Sequence, residues 1–243
     1  MGIFDFLFGG TESSIERHSK KVVNLNAQLE ERNASAEWLA ENGSPEAISA
    51  LLKRFSIRYE HAMKDTEEKL FIYAQLRRIG PNVVDPTKSW IEKNSNFAQP
   101  LKLIEEFEGK EATIGFLLDV LDKENDPFKP EKKRQILIKL ASFKDTRIAE
   151  RITKCLHDID DEVRLAAVEA LDVQDLTSQN EIKIRENLEE VLSNPEEESN
   201  RFRVRIVEMY IKRDWNIDSP EDYLTENPPS GFALVDGRFV AQA

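Results

Sequence analysis

The segment DEVRLAAVEALDVQD, from Asp161 to Asp175, limits the fold more than any other part of the chain. Its apolar positions Val163, Ala166, Ala167, Ala170 and Leu171 recur at steps of three and four, so they line one stripe of an α-helix. With Arg164 as origin, the same ruler fits elsewhere. EKKRQILIKLASFKD has its origin at Arg134 and closes at Asp145, NRFRVRIVEMYIKRD has its origin at Arg203 and closes at Asp214, and TEEKLFIYAQLRRIG has its origin at Lys69 and closes at Gly80. Two looser copies run from Ala98 to Gly109 and from Arg32 to Gly43. In each, a Gly or Asp stands eleven residues past the origin and precedes a second helical segment such as SPEAISALLKRF or TRIAERITKCLHD. Successive origins lie 29 to 39 residues apart, the length of an antiparallel helix pair with its turns.

Local signals agree with this division. Ser44 before Pro45 predicts a helix start, because the hydroxyl can accept a free N–H and proline has none to lose. Asp145 and Asp175 are expected to cap in the same way or to serve as turn residues. KENDPFKPEK, residues 123–132, and SNPEEES, residues 193–199, predict widened turns. One pair cannot cover its own apolar stripe, so the pairs must stack into a continuous core over residues 12–215. Residues 1–11 form a separate apolar segment, and residues 216–243 leave the repeat. In this tail FALV-DG-RFVA predicts a β-hairpin, with Asp-Gly supplying the positive φ angles of a tight turn. Phe232, Leu234 and Phe239 are expected to pack on the last helices.

The origin motif of Asp161, Val163, Arg164, Ala167, Ala170 and Leu171 resembles the second helix of HEAT repeats, above all the HEAT-like repeats of phycobilisome-lyase type. The likeness is clearest from Asp145 to Asp175 and faint before residue 65. It implies an all-α, right-handed α-solenoid of about five antiparallel helix pairs, with the origin helices on its concave side. It also implies a turn-bracing role for Asp161 and Arg164. Most such proteins bind other proteins. Two groups using related solenoids are enzymes, the bilin lyases and the alkylpurine DNA glycosylases, and these set the alternative functions.

Composition narrows the choice. A formal net charge of −12 argues against nucleic acid, whose phosphates need clustered Lys and Arg. The single cysteine, Cys155, forms no intramolecular disulfide, and cytoplasmic residence is the simplest expectation. No stretch has the roughly 20 apolar residues that a membrane span requires. MGIFDFLFGG lacks the basic start of a secretory signal, and Phe6 stands where myristoylation needs Ser or Thr.

No phosphate-binding glycine loop, HExxH or calcium-loop spacing occurs. HDIDDE, residues 157–162, reads as a capping turn, and Cys155 shares an apolar stripe with Ile148, Ile152 and Leu156. No catalytic, cofactor or metal residue is therefore assigned. The expectation is a non-catalytic scaffold holding a protein partner. Two sets of candidate contacts stand out. One is Ile3, Phe4, Phe6, Leu7 and Phe8, whose side chains could cap the first repeat or dock on a partner. Peripheral membrane contact by residues 1–10 is not favoured, since no Lys or Arg occurs in the first sixteen residues. The other set is Lys132, Lys133, Arg134, Arg201, Arg203 and Arg205, on basic helices flanking an acidic one.

Overall fold

The computed structural model describes residues 14–126 and 128–242. It falls into two compact units, the first ending at Phe116 and the second beginning at Leu117. The first contains α1 (residues 14–22), α2 (Leu29–Asn42), α3 (Pro45–Leu52), α4 (Ala62–Ile79) and α5 (Val84–Ile91). A 3-10 turn, Lys53–Ser56, prolongs α3, and another, Pro81–Val83, leads into α5. Helix α6 (Leu101–Lys123) is broken at Gly109, where φ is 86° and ψ 172°, and the unit boundary falls in its second half. The second unit adds α7 (Pro130–Leu140), α8 (Thr146–Ile152), α9 (Asp161–Asp172), α10 (Ser178–Ser193) and α11 (Asn200–Lys212). A short α12 (Asp222–Glu226), which the sequence did not signal, and a hairpin of β1 (Phe232–Val235) and β2 (Arg238–Ala241) complete it.

The eleven-residue ruler has a backbone cause. Gly43, Gly80, Gly109 and Asp214, each closing a copy, all have positive φ, which turns the chain out of one helix and into the next segment. Asp145 works differently. It is extended, and its carboxylate accepts from the Arg147 N–H at 2.9 Å to cap α8. Ser44 caps α3 through the Ala47 N–H at 3.2 Å. Asp175 does not cap α10. Thr177, two residues on, accepts from the Asn180 N–H at 3.2 Å.

Within each unit the origin helices lie side by side, as stacked pairs require. Helix α2 packs on α4, and α3 on α5. In the second unit α9 lies between α7 and α11. From Val163 to Leu171 every residue but Arg164 and Glu169 is buried. The alanines at 166, 167 and 170 keep α9 thin enough for two neighbours to close on it. Cys155, Ile148, Ile152 and Leu156 are buried together beneath it.

The hairpin forms in the expected register, Val235 opposite Arg238, with φ of 49° at Asp236 and 76° at Gly237. Phe239 is buried and meets the Tyr210 ring edge-on at 5.8 Å, while Phe232 and Leu234, on the strand beside α12, are half-buried. The Ile217 N–H donates to the Gly237 carbonyl at 2.8 Å. A Cβ on Gly237 would lie 2.3 Å from the Ile217 carbonyl oxygen, so that position tolerates only glycine.

Two consequences are measurable. Asp172, with its side chain 4% exposed, pairs with Arg205 at 2.6 Å and Lys212 at 2.9 Å. Burial alone would raise its carboxyl pKa, but the hydrogen bonds and charges of Arg205 and Lys212 outweigh it and leave the pKa below the ordinary 3.8. The contribution is therefore complete above the unfolded value and disappears as pH falls through the folded one. Asp172→Asn should cost about 1–3 kcal/mol in urea unfolding at pH 7, and the gap to the parent should shrink below about pH 4.

His18 stacks on Trp38 with ring centroids 4.3 Å apart and joins α1 to α2. Burial first, then the charges of Arg17 and Lys21, hold its pKa below 6.5, so folding favours the neutral ring. Its contribution is present above the unfolded value and is lost as pH drops below it. The melting temperature of the native chain should fall more between pH 7.5 and 5 than that of His18→Phe, which keeps a stacking ring that cannot titrate. Equal falls would show that the ring does not titrate in this contact.

Candidate partner-binding surfaces

The basic residues singled out in the sequence lie on α7 and α11, on either side of α9 as expected, but the fold uses most of their charge. Lys132 is 9% exposed at its side chain and pairs with Glu124 at 3.0 Å. Lys133 pairs with Asp158 at 2.6 Å. Arg203 is buried and donates to the carbonyls of Leu192 and Asn227 at 3.3 and 2.7 Å, with Tyr223 beneath its guanidinium. Arg205 reaches the buried carboxylate of Asp172. Arg134, bonded to Glu131 at 2.9 Å, and Arg201, paired with Glu162 at 2.6 Å, keep more of their surface, 32% and 69% of the side chain. The alternation of basic and acidic helices is thus satisfied between the helices themselves, through Arg201–Glu162 and Arg205–Asp172. Ile3, Phe4, Phe6, Leu7 and Phe8 lie outside the described residues.

Arg164 shows why the origin position is so often a cation. It donates to the Asp158 carbonyl at 2.9 Å, contacts Asp161, and reaches Glu197 in the next turn at 3.0 Å. Its guanidinium also lies over the Phe202 ring. Arg213 does the same at the far end of α9, donating to the carbonyls of Leu171, Asp172 and Gln174 at 3.2, 2.8 and 2.9 Å.

The HDIDDE turn is occupied in the same way. Asp158 accepts from the Asp160 N–H at 3.1 Å besides holding Lys133, and Asp160 caps α9 through the Val163 N–H at 3.1 Å. His157 bonds Asn187 at 3.1 Å. The described residues contain no group of three His, Cys, Asp or Glu side chains placed to hold a metal. Burial, with the charge of Asp158 adding to it, pushes the Cys155 thiol up to about 11, so at neutral pH it stays a protonated, apolar side chain.

The first unit holds a surface that sequence reasoning missed. A groove of about 480 Å³ opens between α2 and α4 and the loop before α2. Leu25, Leu29, Tyr59 and Phe71 supply apolar wall, and Lys64 and Glu67 stand with them along its lining. Leu29 is 45% exposed, unusually open for a leucine beside such a cavity. Arg32 and Glu68 also line the groove, and both belong to a buried ionic network. Arg32 contacts both Glu68 oxygens and donates to the carbonyls of Leu25 and Ala27. Arg54, 1% exposed, donates to Glu68 at 3.2 and 3.3 Å, to Asp65 at 2.8 Å and to the Ile57 carbonyl at 3.0 Å. Lys69, the origin residue of α4, closes the set on Asp65 at 2.6 Å. Burial acts to raise the Asp65 pKa, but the hydrogen bonds from Lys69 and Arg54 prevail and lower it. The groove therefore joins apolar walls to a preorganised charged surface. The usable signal was the polar pattern Asp65, Glu68, Lys69 on α4, which supplies carboxylates at helical spacing for Arg32 and Arg54 of the preceding pair.

Residues 31–56 match the profile of the PBS lyase HEAT-like repeat. They comprise most of α2, all of α3 and the turn that follows, the pair where the origin motif reads most faintly by eye. A search of curated proteins finds no match. Among solved structures, similarity extends to an engineered protein from a structural genomics consortium, with 19% identity and a TM-score of 0.39 over 82% of this chain and 98% of that one. It extends also to a designed armadillo repeat protein, with 16% identity and a TM-score of 0.38 over 80% of this chain and 99% of the other. No described helix is long and apolar enough to cross a membrane. Residues 31–56 therefore carry the likeness to a HEAT-like repeat, and they lie in a chain built of successive helix pairs.

Proposed function

We propose that this chain is a non-catalytic scaffold that holds a segment of a protein partner in the groove between α2 and α4. The observation that carries the reading is the coincidence in one groove of exposed Leu29, half-buried Phe71 and Tyr59, and the charged pair Lys64 and Glu67, beside the ion pairs of Arg32 and Glu68. A partner segment with an apolar anchor flanked by charge fits such a surface. The anchor displaces water from Leu29 and Phe71, and the charged groups fix its direction. The rigid network beside them keeps the cost of ordering the site small.

The intramolecular use of Lys132, Lys133, Arg203 and Arg205 supports a protein partner over nucleic acid, because phosphate binding needs cations free to exchange their counterions. Arg134 and Arg201 remain available as secondary contacts on the α7–α11 face.

A photoreactive amino acid at position 29 would capture the partner in cells, and the purified partner would then be titrated against the native chain and Leu29→Asp. The substitution lies on an exposed side chain, so the fold should persist by circular dichroism. Binding should weaken by about tenfold or more, the loss of one anchoring side chain. Unchanged affinity in a folded variant would refute this groove as the binding site.

A further inference from the structure

The α2–α4 groove limits the form of what it can hold. Its two long walls are helices, whose backbone groups bond within each helix beyond the first turn. The bordering loop adds little, since the carbonyls of Leu25 and Ala27 accept from Arg32 and the Ala27 N–H donates to the Asn24 carbonyl at 3.0 Å. An extended segment laid here would lose water from its N–H and C=O groups and find few partners for them, whereas a helix brings its own. The outward face of α4 continues the groove. Met63 is 77% exposed and Leu70 55%, and Glu67 falls between them on the same face. Glu67 also lines the groove with Lys64 and Phe71, so the exposed apolar pair borders it. The charged lining, Arg32, Lys64, Glu67 and Glu68, sums to zero. Both signs continue beyond it, with exposed Glu30 next to Leu29, and Arg58 and Glu60 on either side of Tyr59.

Taking this groove as the binding site, we propose that its occupant is an amphipathic α-helix of the partner protein, laid along α4, with apolar residues at every third and fourth position and charges of both signs beside them. Three features select it. The first is spacing. Met63 and Leu70 stand about 10 Å apart along α4, the distance between residues i and i+7 of a helix lying beside it, and Leu29 and Phe71 line the groove next to them. Same-face residues of an extended strand recur about every 6.7 Å and fall out of step with that pair. The second is charge. Lys64 and Glu67 are one turn apart, the spacing of a carboxylate and a cation at i and i+3 or i+4 of the docked helix. A segment of a single sign would be repelled by one of the two. The third is the backbone, which a helix buries with its hydrogen bonds already made.

The probes are two fluorescein-labelled synthetic peptides of about four helical turns and identical composition in leucine, alanine, lysine and glutamate. One carries its leucines at every third and fourth position, the other at alternate positions. Each is titrated against the full-length chain by fluorescence anisotropy at neutral pH. The first should bind about tenfold more tightly than the second and gain helical circular dichroism on binding. Met63→Asp and Leu70→Asp, both on exposed side chains, should each weaken it by about threefold or more without changing the melting temperature. If the alternating peptide binds as tightly, and Leu29→Asp weakens it, the groove stands and the helix does not. If Leu29→Asp leaves the helical peptide unaffected in folded protein, the groove itself is wrong. The proposal also fails if neither Met63→Asp nor Leu70→Asp alters binding, or if neither peptide binds at about millimolar concentration. Tighter binding by a version whose charges are all lysine or all glutamate would overturn the mixed-charge helix in favour of a partner of that sign.

Discussion

Each short helix leaves carbonyl groups at its end without intrahelical partners, and the turns that join helix pairs add more. The structure depends on arginines that supply the missing donors. Arg32 serves the carbonyls of Leu25 and Ala27, Arg54 that of Ile57, Arg164 that of Asp158, Arg203 those of Leu192 and Asn227, and Arg213 three at the end of α9. A guanidinium suits the task because its five fixed donors can satisfy carbonyls and a carboxylate together, which an ammonium does less well. The carboxylates of Glu68, Asp65, Glu197 and Asp172 follow as the charges that make burial of cations tolerable.

This arrangement shapes what the surface offers. The chain carries 34 Lys and Arg against 46 Asp and Glu, and several of its cations are turned inward to brace turns. The net charge outside is acidic, with mixed charge where ion pairs reach the surface, as at Arg201–Glu162 and Arg134–Glu131. Under the proposed function, recognition rests on places where helices diverge and leave apolar side chains open. In the first unit that place is the α2–α4 groove. The buried network around Glu68 also lines the α2–α4 groove, so the interaction that holds α2, α3 and α4 together also fixes the shape of the site.

The helix pairs were legible because their determinants are local. The stripe of Val163, Ala167 and Leu171, the glycines at 43, 80 and 109, and the Ser44–Pro45 start act within a few residues of themselves. The hairpin was legible for the same reason, since Asp236–Gly237 sets its own turn. The fate of the basic residues was not legible. Whether Lys133 or Arg205 faces solvent depends on Asp158 and Asp172, which another repeat supplies. Nor was the groove legible, because Leu29 and Phe71 read as ordinary apolar positions until α2 and α4 are placed side by side. The cap of α10 is Thr177 and not Asp175, a choice between two nearby capping residues that their types alone do not decide.

The claim that a buried ionic network holds the first unit together is tested most directly by a double-mutant cycle at Arg54 and Glu68, read by urea unfolding at neutral pH. Each single change, Arg54→Met or Glu68→Met, strands a buried opposite charge and should cost about 3–5 kcal/mol. The double variant should be less destabilised than the sum of the two, with a coupling of about 1–3 kcal/mol. Single costs below about 1 kcal/mol that simply add would contradict the account, since that is how exposed, independent charges behave.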